Sequence, residues 1–296
     1  MPELPEVETV MRGLEPHMTG CRIVSAHISG MRLRHPWPER FAARLEGARV
    51  ECLRRRAKYL LWDLDTGETV LCHLGMSGRF TVWPGAGGAA PRALGEFYFH
   101  GPSEREPGPH DHLILTLEDQ TRIVYTDPRR FGFFDMMAWK EVDHHPALAR
   151  LGPEPLGPDF TPARLARALR GRRGPVKTAL LDQTVVAGLG NIYVCEALFR
   201  AGISPRRQAG ALAPSGRPGP QLERLVSAVR EVLLEAIAAG GSTLRDHARV
   251  DGKAGGFQQH FSVYGREGEP CKVCGQPVRR IMQSGRSTFF CPSCQR

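Results

Sequence analysis

Four cysteines in the last 26 residues (271–296) constrain this chain more than any other feature. Cys271, Cys274, Cys291 and Cys294 form C-x2-C-x16-C-x2-C. Two close thiolate pairs, brought together by a short hairpin, supply a tetrahedral donor set for one Zn2+. Four sulfurs leave no open coordination position, which makes such a metal structural and not catalytic. Two disulfides are the alternative. The remaining cysteines, Cys21, Cys52, Cys72 and Cys195, are scattered among apolar neighbours. They read as small core residues of a reducing compartment, which disfavours the disulfides.

The chain has 296 residues, enough for two domains and a large core without staples. Apolar runs fall far short of a bilayer span. The opening Met1-Pro2-Glu3-Leu4-Pro5-Glu6 lacks the basic and apolar stretches of a secretory signal, so the expected location is the cytoplasm. The formal charge is +9, and the basic residues cluster. Arg54, Arg55, Arg56 and Lys58 lie within five positions, and Arg164, Arg167, Arg170, Arg172, Arg173 and Lys177 run without an intervening acid. Residues 249–296 carry eight basic and three acidic side chains. Solvated faces would account for any one cluster; three in separate regions favour a polyanion, nucleic acid ahead of membrane.

Local patterning divides the chain. Val7, Val10, Met11 and Leu14 predict a helix over 5–15. Short β-rich runs follow at Arg49–Leu53, Tyr59–Leu64, Thr69–Leu74, Arg79–Val82, Leu113–Leu117, Arg122–Thr126 and Phe131–Met136, predicting a β-sandwich or barrel. Most of Trp83–Pro109, dense in Gly and Pro, reads as a surface loop. Beyond Leu151 the pattern is helical. Thr161-Pro162 opens one helix, Val176–Leu181 is a second, and Asn191 caps a third running to about Arg200. After a polar connector at 204–220, a strongly amphipathic helix spans Leu222 to Ile237.

Several motifs bear chemistry. Pro2 is small enough for Met1 to be removed, leaving a secondary amine that can attack C1′ of a sugar and form a cationic iminium. Glu3 beside it could move protons, and Glu6 is a second carboxylate in the first turn. Taken alone, this dipeptide is an ordinary chain start. Lys58 opens an apolar strand, where it contacts phosphate, acts as a general acid, or only guards a sheet edge. In His73-Leu74-Gly75-Met76-Ser77-Gly78, Met76 sits between glycines as a wedge for a base stack or as a core residue. In Asp127-Pro128-Arg129-Arg130-Phe131-Gly132, an aromatic ring beside arginines suits a phosphate clamp with an intercalating ring. Gly188-Leu189-Gly190-Asn191 before a helix presents backbone N–H groups to an anion. Ser284-Gly285 turns the cysteine hairpin and puts Arg286 at its tip.

Met1-Pro2-Glu3-Leu4-Pro5-Glu6-Val7-Glu8-Thr9-Val10 resembles the opening of bacterial formamidopyrimidine-DNA glycosylases. Arg55–Leu60, His73–Gly78, Asp127–Gly132, Gly188–Tyr193 and the cysteine unit follow in the family's order across the chain. The resemblance implies an α+β multidomain fold with three regions. Residues 1–150 would form a catalytic domain of N-terminal helix plus β-sandwich, and 151–248 a helix–two-turn–helix DNA-binding domain. Residues 249–296 would hold a lesion-capping loop, matched by Val250–Phe257, and a C-terminal four-cysteine zinc β-hairpin. It implies a bifunctional glycosylase and abasic-site lyase that excises 8-oxoguanine and formamidopyrimidines from damaged duplex DNA.

The roles it carries over are specific. Pro2 is the nucleophile, and Glu3 the proton donor that opens the sugar. Lys58 contacts phosphate and donates a proton in β-elimination, and Arg286 does so in δ-elimination. Met76, Arg129 and Phe131 fill the space left by the extruded base. His73, His110, Arg172 and Asn191 are further DNA contacts. The resemblance implies one structural zinc, no catalytic metal, no membrane, and a monomer without obligate protein partners. The 83–109 and 204–220 segments look like insertions. An endonuclease VIII-like preference for oxidised pyrimidines, lesion binding without catalysis, and a zinc-braced RNA-binding module are the competing readings.

Overall fold

In the computed structural model, residues 2–83, 85, 92–94, 108–242 and 256–296 are described. The chain divides into two compact units, Met1–Ala149 with Ala239–Gly256, and Arg150–Ala238 with Phe257–Arg296. By compactness the cysteine hairpin therefore groups with the helical region.

The first unit opens with helix α1, Leu4–Met18, which buries Leu4, Val7, Val10, Leu14 and Met18 along one face. This spacing is the apolar stripe that docks a helix on a core. The helix runs past the predicted end at residue 15 and takes Pro16 into its last turn. Nine strands follow among the described residues: β1 (Ile23–Ile28), β2 (Val50–Arg56), β3 (Tyr59–Leu64), β4 (Glu68–His73), β5 (Arg79–Trp83), β6 (Arg92–Leu94), β7 (Asp111–Leu117), β8 (Arg122–Thr126) and β9 (Phe133–Ala138), with the short helix α2 (Phe41–Leu45) between β1 and β2. They form two antiparallel sheets, ordered β1-β7-β8-β5-β6 and β2-β3-β4-β9.

Aromatic rings close the sandwich. Trp62 of β3 and Phe134 of β9 meet Phe80 of β5 and Tyr125 of β8, with Tyr125 edge-on to Phe134 at 4.9 Å and Trp62 to Phe80 at 5.8 Å. Edge-to-face pairs at such distances add to the gain from burial alone. Most of the segment 83–109, expected to be largely loop, lies outside the described residues; within it Arg92–Leu94 forms β6, paired with β5.

The second unit contains α3 (Pro162–Leu169), α4 (Val176–Leu181), α5 (Asn191–Arg200), α6 (Pro220–Ala238) and a hairpin of β10 (Arg279–Gln283) and β11 (Arg286–Phe290). Thr161 caps α3 by accepting the Arg164 amide at 3.2 Å, ahead of Pro162 in the first turn. Between α4 and α5 the backbone turns at 183–185 and bends at 186–188. Gln183 holds them, donating to the Leu181 and Leu189 carbonyls and accepting from the Gly188 amide. No helix among the described residues is long and apolar enough to cross a membrane.

Candidate active site and nucleic-acid interface

Pro2 and Glu3 are both buried at the start of α1. Glu3 is the N-cap residue, and its amide donates to Glu6 Oε2 at 2.9 Å. The other oxygen of Glu6 receives the Ser242 amide at 2.8 Å and its hydroxyl at 3.0 Å. Glu6 thus ties the beginning of the chain to the segment after α6. Gly241 precedes Ser242 at φ +84°, and a Cβ there would meet Glu6 Oε1 at 3.1 Å, so the close approach needs glycine. Met1 lies outside the described residues.

Lys58 sits at the two-residue turn between β2 and β3, where Ala57 adopts φ +53°. It is not an exposed edge residue, being only 6% accessible. Its neighbour Arg55 forms an ion pair with Glu8 of α1 at 2.7 Å, both side chains largely covered, and so locks the hairpin to the N-terminal helix. His73, at the end of β4, pairs with Tyr59 in register and stacks on Phe133 at 5.7 Å. Its Nδ1 accepts the Gly75 amide at 3.0 Å. Burial, then the charges of Lys58 and Arg34, bring the His73 pKa down to about 4. The ring is therefore neutral at pH 7.

Two turns carrying three of the expected DNA contacts are knotted together. Asp127, fully buried, accepts the Ser77 hydroxyl at 2.5 Å, the Gly132 amide at 2.8 Å and the Tyr125 hydroxyl at 3.3 Å. Ser77 in turn accepts the Arg129 amide at 3.2 Å. A Cβ on Gly75 would lie 2.3 Å from the Gly132 nitrogen, so backbone meets backbone where the turns cross. Met76, Arg129 and Phe131 project from this knot. Met76 is half-buried, Arg129 and Phe131 are exposed, and the guanidinium lies 4.8 Å from the Phe131 ring centre. The exposed His110 joins them, its carbonyl accepting the Asp127 amide at 3.0 Å.

In the second unit, Arg172 donates to Asp182 at 2.9 Å and to the Ala168 carbonyl at 3.0 Å. Asn191 does not cap α5; Gly190 holds that position. The Asn191 side chain instead donates to the Ser287 carbonyl at 2.9 Å, leaving its Oδ1 buried without a partner among the described residues. Lys177, counted above with a basic surface run, is fully buried. It donates to Ser287 O at 3.2 Å and Thr288 Oγ1 at 2.7 Å. Together they clamp the strand that begins with the exposed Arg286. Of the expected loop Val250–Phe257, residues 250–255 lie outside the described residues, and Phe257 is buried 5.7 Å from the Tyr193 ring.

Sequence reasoning passed over Glu196, whose buried carboxylate accepts three consecutive amides from Ser262, Val263 and Tyr264. An acid in an otherwise apolar helix was the available signal. It also missed Asp127 as the organiser of its own motif.

The four cysteine sulfurs lie within 4.8 Å of one another. Cys274 to Cys291 is 3.4 Å and Cys271 to Cys294 is 3.9 Å, bracketing the ~3.8 Å edge of a Zn–S tetrahedron and far beyond a ~2 Å disulfide. All four thiols are free, which removes the two-disulfide alternative.

Residues 1–134 match the family model of the formamidopyrimidine-DNA glycosylase N-terminal domain, and 151–248 the H2TH domain of the same enzymes. Residues 268–296 match a zinc finger found in FPG and IleRS. The chain is 54% identical over 298 residues to the formamidopyrimidine-DNA glycosylase of Ruegeria pomeroyi, covering the whole of both. The chain belongs to the formamidopyrimidine-DNA glycosylase family.

Solved members agree over the full length. The MutM (Fpg) protein of Thermus thermophilus aligns at TM-score 0.79 and 41% identity, over 99% of this chain and 98% of that one. Lactococcus lactis Fpg, crystallised with DNA containing Fapy-dG or an abasic site, aligns at TM-score 0.82 and 32% identity over 99% of each chain. A MutM complex with DNA containing carbocyclic 8-oxo-G aligns at 0.81 and 33%, again over 99% of each. The cysteine quartet and the family's zinc finger together make one structural zinc site. In sequence, 83–109 and 204–220 look like insertions. Part of the second segment is integral to the helical unit: Val176 donates to Arg207 O at 2.7 Å and Gly210 to Arg172 O at 2.8 Å.

Proposed function

We infer that this protein removes oxidised purines, 8-oxoguanine and formamidopyrimidines, from duplex DNA and then cleaves the strand at the abasic site, in base excision repair. The observation that carries the reading is the buried Pro2-Glu3 start of α1 in a family member whose solved relatives hold lesion-containing DNA.

With Met1 removed, the Pro2 nitrogen attacks C1′ and the C1′–N bond to the base breaks, its electron pair leaving with the base. The amine proton is lost. The C1′–O4′ bond then opens to give the iminium, and O4′ takes a proton from Glu3. The cationic iminium draws electrons from C2′, so a C2′ proton departs and the 3′ phosphate leaves. Loss of a C4′ proton expels the 5′ phosphate in the second elimination. Lys58 and Arg286 serve these two steps as the proton donors at phosphate.

Base extrusion costs a few kcal/mol. Met76, Arg129 and Phe131 offset it by occupying the vacated stack, and the rigidity of the Asp127 knot supports that role. His73, His110, Arg172 and Asn191 grip the backbone. Zinc holds the hairpin and takes no part in bond making. The enzyme acts as a monomer in the bacterial cytoplasm, on nucleoid DNA. Duplexes carrying 8-oxoguanine or an oxidised pyrimidine test the specificity: excision of the purine at least about tenfold faster, ~1.4 kcal/mol in the barrier, is expected. The reverse order would make it endonuclease VIII-like.

A further inference from the structure

The hairpin that carries Arg286 is held on both flanks of its turn. On the β11 side, Lys177 and Asn191 bind Ser287 and Thr288. On the β10 side, Gln283 donates from Nε2 to the Pro205 carbonyl at 3.2 Å. Its Oε1 is buried with no partner among the described residues. Gln283 is the direct cross-strand partner of Arg286, and paired residues in an antiparallel ladder project from the same face. Between them stand only Ser284 at φ +49° and Gly285 at φ +72°. This is a two-residue turn with both residues left-handed, which leaves the loop little freedom of its own.

The Pro205 carbonyl is a firm anchor. The Ser204 amide donates to Arg296 O at 3.2 Å, the Arg207 amide to Ser204 O at 3.0 Å, and the Val176 amide to Arg207 O at 2.7 Å. The segment after α5 is thereby tied both to the chain's last residue and to the start of α4. A hairpin fixed only along β11 can pivot about that strand; a second tether across the ladder, on β10, limits the pivot. Holding a reactive side chain within a fraction of an ångström of its target is what such supports do for a site.

We propose that Gln283 is a positioning residue for Arg286, using the Pro205 carbonyl as its anchor to hold the guanidinium in place for the second elimination. The proposal rests on the reading of Arg286 given above. It assigns the segment at 204–208 a role in strand cleavage, though it touches none of the reacting atoms.

The test uses the full-length zinc-loaded enzyme on an abasic-site duplex, resolving products of β-elimination alone from those of β,δ-elimination. Gln283→Leu keeps the shape and loses the donor. Gln283→His restores an N–H at nearly the same reach. The expected result for the leucine variant is a δ-to-β product ratio lowered about fivefold, the worth of one ordinary hydrogen bond. Borohydride trapping and duplex affinity stay within about twofold, and the histidine variant recovers most of the ratio. An unchanged ratio in Gln283→Leu overturns the proposal. So does a parallel loss of trapping and affinity, or a histidine variant as impaired as the leucine. Arg286→Ala separates the two levels: if it leaves the product ratio unaltered, the role given to Arg286 falls, and Gln283 falls with it.

Discussion

Asp127 receives the Ser77 hydroxyl on one oxygen and the Gly132 amide and Tyr125 hydroxyl on the other. An asparagine cannot accept on both sides, because its amide nitrogen would face a donor. Asp127→Asn is expected to cost about 3 kcal/mol of stability, since a buried donor then loses its partner. It should also weaken duplex binding more than about tenfold, through the displaced Arg129 and Phe131. Urea unfolding and equilibrium binding measure the two effects. His73 gives a second handle at this scale. Its pKa is about 4 when folded against 6.5 ordinarily. The unfolded chain therefore binds the proton more readily, so the stabilisation is present above pH 6.5 and is lost as pH falls toward 4. The loss should reach up to about 3 kcal/mol. Unfolding free energies at pH 7.5 and 4.5 should differ by that much more in the wild type than in His73→Phe. Equal differences would mean that the ring is not held neutral.

At the scale of elements, Gly75 marks where two turns must touch. It combines φ +67° with no room for a side chain. Gly75→Ala should cost about 3 kcal/mol or move the turns apart. Either outcome should lower duplex affinity while Zn content stays unchanged; unaltered affinity would show that the knot does not set the interface. These turns were legible in the sequence as motifs. Their junction was not, since it depends on a backbone approach across 50 or so residues that no local pattern encodes. The same contrast runs through the strands. Tyr59–Leu64 and Arg122–Thr126 fall where predicted because their apolar runs are continuous. β1 escaped prediction because a register shift between Ile23 and Ser25 breaks its alternation and Val24 is exposed. α2 escaped because five residues following a left-handed Arg40 carry too little helical period.

Across the whole molecule, charge is the part of the sequence that needed most revision. Arg54 is bound to Asp63, Arg55 to Glu8 and Arg172 to Asp182, and Lys177 is buried. These four of the ten basic side chains in the first two clusters thus have partners or burial within the protein. A linear count of arginines cannot tell an internal ion pair from a free cation, because the acids that meet them come from distant positions. The cysteine unit was fully legible, since spacing alone fixes a tetrahedral set. The chemistry turns on one atom, the Pro2 nitrogen. The most direct test is borohydride reduction during turnover of an 8-oxoguanine duplex, followed by peptide mapping of the adduct. The account predicts deoxyribose linked to the peptide that begins at Pro2, and no adduct on chains that retain Met1. Linkage to a lysine, or equal trapping of Met1-retaining chains, would contradict it.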